Sequence, residues 1–378
     1  MSQSLLSPRP LGSRTFGKEG YGTGLANFVY SKGSTFIWSP SMPLFFLPSE
    51  NLTTFWSAVS RGRVTYAPQE TEFGLRLRRV EGTSEVTFSP ARAAEPLKGI
   101  FYEARGRILE YFGGEAPEPP EMAILDAKAC DLRAMQDIDR VFLEDGEDPA
   151  YAAARRKAFI VSGDCTEPLE TCFCVLMGLR PYPESGFDLN LSPVDGGFVV
   201  EVGSSKGEAF VQENSGTFQD VSEAQLKQRD ARRREVLAKF EEKKKLYPFA
   251  PSLHDAVKSQ YEADIWKDLA EHCVECGACN LVCPNCYCFL LYDQRRGDRY
   301  ERVRVWDSCQ YRGFGQEGGG ANPRKFLYQR VRNRFFHKFV WFYENYGVYK
   351  CVGCGRCVEA CMAGEKIDIR EVLKELSK

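Results

Sequence analysis

The apolar positions of this chain fall into two kinds of run. Met122–Ala127 (MAILDA) is short and unbroken, with strand character, and Leu132, Met135, Ile138, Val141 and Phe142 then return at helical intervals. KAFIVSG, residues 157–163, reads as a second strand. Strand, helix and strand in succession predict a parallel pair with a right-handed crossover. GFVVEVGS, residues 197–204, predicts a further strand closing this middle region. Residues 1–120 mix strand-like pieces such as STFIW and VTYAP with turns, and end in the linker FGGEAPEPPE.

Helical periods dominate beyond residue 220. Ser222 and Gln225 form a capping box ahead of VSEAQLKQRDARRREVLAKFEEKKKL, whose few apolar positions predict a solvent-exposed helical arm between domains. Val257, Tyr261, Ile265 and Leu269 share one helix face, and Leu327, Val331, Phe335, Phe339, Phe342 and Tyr346 make an aromatic face on another. The second helix is basic opposite that face, at Arg324, Lys325, Arg330, Arg332, Arg334 and Lys338. Two readings follow: a docking surface for an acidic redox partner, or a solvated face that offsets negative charge nearby.

At 378 residues the chain is long enough for two or three domains. Its composition is 43% hydrophobic and 27% charged with a formal charge of -2, which argues against nucleic acid or an anionic membrane as the main partner. No apolar run approaches the ~18 residues that cross a bilayer, and no signal peptide is visible, so a cytoplasmic protein is expected. GYGTG at residues 20–24 is a weak nucleotide-loop signal, since it follows no predicted strand and opens no helix.

The chemistry lies in the thiols. Fifteen cysteines in a reducing compartment point to metal ligation, and with only three histidines the ligands must be nearly all thiolate. Cys273, Cys276, Cys279 and Cys283 follow the C-x2-C-x2-C-x3-C-P pattern, and Cys351, Cys354, Cys357 and Cys361 repeat it with Met362 in place of proline. This is the signature of a two-cluster ferredoxin, in which three closely spaced thiols wrap one cubane and the fourth serves the other. The rule assigns Cys273, Cys276, Cys279 and Cys361 to one 4Fe-4S cluster and Cys351, Cys354, Cys357 and Cys283 to a second. Gly277 and Gly355 fit a backbone that folds closely around a cluster.

Four further thiols converge elsewhere. Cys130 and Cys165 fall just past the ends of the two predicted parallel strands, whose carboxyl ends share one edge where α/β sheets bind ligands. Cys172 and Cys174 follow in DCTEPLETCFC, which can fold back over that edge. Together they suggest a third 4Fe-4S cluster, against free thiols packed as small apolar groups. Cys286, Cys288 and Cys309 remain, as packing residues, substitute ligands or groups acting on sulfur.

The chain is thus expected to be α+β, an N-terminal and middle α/β region with a short parallel sheet followed by a mainly helical two-cluster ferredoxin domain. The expected division is residues 1–120, mixed α/β; 121–215, α/β with the candidate third cluster; 216–250, a charged helical linker; and 251–378, the ferredoxin domain.

AKACDLRAMQDIDRVFL, DCTEPLETCFC, GFDLNLSPVDGGFVVEVGS, CVECGACNLVCPNCYCF, WDSCQYRGFG and VRNRFFHKF with CVGCGRC together resemble the beta subunit of cytoplasmic sulfhydrogenases and the related A subunit of anaerobic sulfite reductase. FSPARAAEPLKGIFYEARGRILEYF is similar to the family's segment before Cys130. The resemblance implies an iron-sulfur relay between a flavin- and NAD(P)-binding subunit and a catalytic partner, commonly a nickel-iron hydrogenase. Related subunits serve heterodisulfide-reductase-like electron-bifurcating assemblies. The chain departs from the family at Met362 and at GGGANPRK, where a histidine is expected after the glycines. A competing expectation is an enzyme reducing polysulfide or sulfite at Cys286, Cys288 or Cys309. No catalytic residue is assigned on the favoured reading.

Overall fold

The computed structural model describes residues 43–82, 86, 88–112 and 118–378. The STFIW and GYGTG stretches lie outside the described residues. Eleven strands are described: β1 (Leu44–Pro48), β2 (Val64–Thr71), β3 (Gly74–Val80), β4 (Arg105–Glu110), β5 (Met122–Ala127), β6 (Ala158–Gly163), β7 (Leu189–Val194), β8 (Gly197–Val202), β9 (Gln219–Asp220), β10 (Phe289–Arg296) and β11 (Arg299–Trp306).

Eight of these form one mixed sheet in the order β3-β2-β5-β6-β7-β8-β1-β9. Its middle is parallel: β2 pairs with β5, β5 with β6, and β6 with β7. The flanking strands are antiparallel, including the β7–β8 hairpin and β1 beside β8. Strands from residues 44–80 therefore share the sheet of the middle region.

The unbroken apolar runs of β5 and β6 have a simple cause. Alternate residues face opposite sides, and both sides are covered. Ala123, Leu125, Phe159 and Val161 enter one core with Phe55, Trp56 and Phe210. Met122, Ile124, Ala158 and Ile160 enter the other, with Leu132, Met135, Ile138 and Tyr151. The helix Ala129–Asp139 follows β5 directly, so Cys130 sits in its first turn at the sheet's carboxyl edge.

The C-terminal part packs the helices Leu253–Ser259, Ile265–His272, Leu327–Phe336 and Ile369–Leu376 around one apolar core. The helix expected through residues 257–269 is broken in two. Residues 260–264 turn so that the Trp266 indole donates to the Gln260 carbonyl at 2.7 Å, leaving Tyr261 exposed. The aromatic helix continues through the π-turn His337–Trp341, with Val331, Phe335, Phe339 and Phe342 buried as its period predicts. A hairpin of β10 and β11, paired with β4 as a second sheet, also stands in this part.

The capping box at Ser222 and Gln225 is present and the helix Glu223–Ala238 forms. It does not stand off in solvent. Arg233 reaches Asp164 at 2.7 Å and Glu201 at 2.5 Å, while Val236 and Phe240 are buried against Cys172 and Cys174. The charged sequence misleads because two of its arginines, Arg229 and Arg233, are spent on the buried Asp164 and the half-buried Glu201.

Candidate iron-sulfur centres

Three cavities each gather at least four thiols. The first gathers Cys273, Cys276, Cys279 and Cys361 with Arg334 and the exposed Met362. The second gathers Cys283, Cys351, Cys354 and Cys357 with Lys338. Both sets are the ones the crossed pattern predicts, three from one run and the fourth from the other. The third gathers Cys130, Cys165, Cys172 and Cys174 at the carboxyl edge of β5 and β6, under Phe240. Cys354 lines the second and third cavities together.

Tight backbone contacts make this arrangement. Gly277 and Gly355 have φ of +71° and +77°, in the left-handed region that favours glycine. A Cβ on Gly277 would come within 2.6 Å of the Tyr311 hydroxyl. At Gly353, φ +60°, a Cβ would meet the backbone of Phe173 and Cys174 at 2.6 Å. The Phe173 amide donates to the Gly353 carbonyl at 2.7 Å, so the loop holding Cys351, Cys354 and Cys357 lies directly on the loop holding Cys172 and Cys174.

The donor chemistry fits cubane clusters. Among the described residues no three His, Cys, Asp or Glu side chains converge to hold a single metal ion. Four thiols spaced around a cavity are instead what separate irons of one cluster require. Burial pushes the free thiols up, Cys165 and Cys351 to about 12 and Cys357 to about 11, so binding iron must displace protons.

Buried cations surround these thiols. Lys338, 3% exposed, places Nζ at 3.2 Å from Cys283 Sγ and 3.6 Å from Cys286 Sγ. Arg334 is buried, lines the first cavity, and its Nε has no hydrogen-bond partner among the described residues. Arg92 donates to the Cys354 carbonyl at 2.6 Å and to Glu359 at 2.6 Å. Arg356 pairs with Asp131 at 2.7 Å and binds the Ala93, Ala94 and Glu95 carbonyls, with its Nη1 unpartnered among the described residues. Unpaired cationic N–H groups beside thiols are costly unless an anionic occupant faces them. A four-thiolate cluster is such an occupant.

This corrects the expected basic surface. Arg330, Arg332, Arg334 and Lys338 are all buried. Arg330 is spent on the Gln310 carbonyl and Glu275, and Arg332 on the Tyr261 carbonyl and ring. Those four cannot offer a docking face. Arg92, Lys98 and Arg356 were not singled out from sequence; the signal available was two cations, Arg92 and Lys98, in the mostly small and apolar stretch SPARAAEPLKGIF, and one, Arg356, in CVGCGRC.

Cys286, Cys288 and Cys309 also gather. Cys309 accepts from Asn280 Nδ2 at 2.9 Å, and Cys286 Sγ lies 3.8 Å from Asn280 Oδ1. A hydrogen bond from Cys288 lowers Cys309 to about 6, while the same bond raises Cys288. Lys98 Nζ holds this loop through the Asn280 and Cys286 carbonyls at 3.2 and 2.8 Å.

Comparison with known proteins agrees with the geometry. Residues 272–365 match the family model of a 4Fe-4S dicluster domain, which indicates two 4Fe-4S clusters. Sulfhydrogenase 2 subunit beta of Pyrococcus furiosus is 32% identical over 339 residues, covering 87% of this chain and 97% of the relative. By that likeness the chain belongs to the family of sulfhydrogenase beta subunits.

Proposed function

We propose that this chain is the iron-sulfur relay subunit of a soluble cytoplasmic oxidoreductase complex, passing electrons between a flavin- and NAD(P)-binding subunit and a catalytic partner such as a nickel-iron hydrogenase. Cys273, Cys276, Cys279 and Cys361 hold one cluster, Cys283, Cys351, Cys354 and Cys357 another, and Cys130, Cys165, Cys172 and Cys174 a third. Each 4Fe-4S cluster supplies one-electron chemistry at a potential set by charge, hydrogen bonds and exposure.

The observation that carries the reading is the row of thiol cavities, with Cys354 belonging to the walls of two. Such adjacency suits transfer from one centre to the next. Phe173 and Phe240 cover the middle and third sets, and Lys338 and Arg334 stabilise added negative charge. Among the described residues no helix is long and apolar enough to cross a membrane.

Burial of Cys309 at 7% exposure weighs against that residue as the sulfur-reducing thiol of the alternative reading, which leaves the half-buried Cys286 and Cys288 for it. Anaerobic isolation of the native complex, with identification of the co-purifying chains, tests the proposal. A flavoprotein reductase and a nickel-iron large subunit are expected. A heterodisulfide-reductase-like flavoprotein in their place moves the reading to electron bifurcation, and isolation of the chain alone contradicts the relay.

A further inference from the structure

The β10–β11 hairpin leaves apolar surface where a single chain has no use for it. Phe289, Leu290 and Leu291 open β10 with exposures of 37, 53 and 44%. They are consecutive, so they bare both faces of the strand. β10 is also the edge of its sheet, paired with β11 on one side alone among the described residues. Edge strands ordinarily blunt themselves with charge, and the distal half DQRR of β10 does so. The proximal FLL does not.

Its setting defines an occupant. The hairpin and β4 carry six exposed or half-buried arginines (105, 107, 295, 296, 299 and 302) against three such carboxylates (Glu110, Asp293 and Asp298), with Arg304 and Glu301 buried, in a chain of net charge -2. A second copy would bring two such basic ribbons together. Residues 1–42 are a poor match too, with four basic residues against Glu19. The hairpin's root matters as well: β10 starts one residue after Cys288 and β11 ends three before Cys309, where Asn280 ties the root to the loop of the first ferredoxin run.

We propose that β10 accepts an extended apolar segment of a partner subunit, flanked by carboxylates, as an added strand, and that this seats the partner beside the ferredoxin centres. The inference rests on the relay reading. Main-chain pairing along the open edge gives affinity, Phe289, Leu290 and Leu291 give apolar contact, and the arginines select acidic flanks.

The test uses the native complex with a photo-crosslinking benzoylphenylalanine at position 290, together with the double variant Leu290→Glu/Leu291→Glu. Crosslinking to another subunit, at a segment bearing carboxylates, is expected. The double variant is expected to lose that subunit on gel filtration, with affinity at least tenfold weaker and with iron content and electron paramagnetic resonance signals unchanged. Crosslinks to a second copy or to residues 1–42 overturn the proposal, as does an intact complex in the double variant. If no partner co-purifies with the unaltered chain, the relay reading itself fails. If the complex is intact but position 290 captures nothing, the strand proposal alone fails.

Discussion

Lys338 is the residue whose placement says most about the chemistry. An ammonium at 3% exposure is expensive, and here it lies within 3.6 Å of two sulfurs. It would stabilise the more negative, reduced state of a cluster held through Cys283. Replacing it by methionine, of similar reach, is expected to lower the midpoint potential of that centre by at least about 60 mV, the one-electron equivalent of a tenfold change. A redox titration followed by electron paramagnetic resonance reads this directly, and an unchanged midpoint would remove Lys338 from the electrostatics. Gly353 is the complementary case. Gly353→Ala is expected to push apart the loops of Cys351 and Cys174 and reduce iron bound at the third centre. Gly62→Ala has a similar φ of +71° but open space, so it should cost about 1 kcal/mol in stability and leave iron content alone.

Periodicity revealed elements where one environment extends along a whole element. β5, β6 and the aromatic helix of residues 327–346 were legible because their apolar residues face continuous cores. The helix Glu223–Ala238 was legible as a helix but not in its role. Part of its polar pattern comes from Arg229 and Arg233, which turn toward the buried Asp164 and the half-buried Glu201, carboxylates distant in sequence. The basic face at Arg330, Arg332, Arg334 and Lys338 misled for the same reason, since partners that are thiols and carbonyls leave no trace in a helical wheel. Arg233→Met leaves Asp164 without its cation and Glu201 with Arg229 alone, so the thermal midpoint should fall by several degrees, reflecting about 3 kcal/mol. Arg233→Lys should recover only part of this, because an ammonium cannot span both partners as the planar guanidinium does. Equal midpoints for all three proteins would show the helix to be a mere tether.

At the scale of the whole molecule, spacing alone revealed the two ferredoxin sets, because short C-x2-C intervals carry their geometry with them. The third set is scattered over residues 130–174 and became visible through topology, since parallel strands deliver Cys130 and Cys165 to one edge. What binds the parts is long-range: Arg356 to Asp131, Arg92 to Glu359, and the Gly353 loop against Phe173. These contacts put the sheet edge and the ferredoxin loops in one electrical neighbourhood. Counting iron and acid-labile sulfide in the anaerobically purified chain and in its Cys165→Ala variant tests that most directly. The account predicts about twelve of each in the unaltered chain and about eight irons in the variant, at four per cubane. Equal iron in the two proteins, near eight, would contradict it.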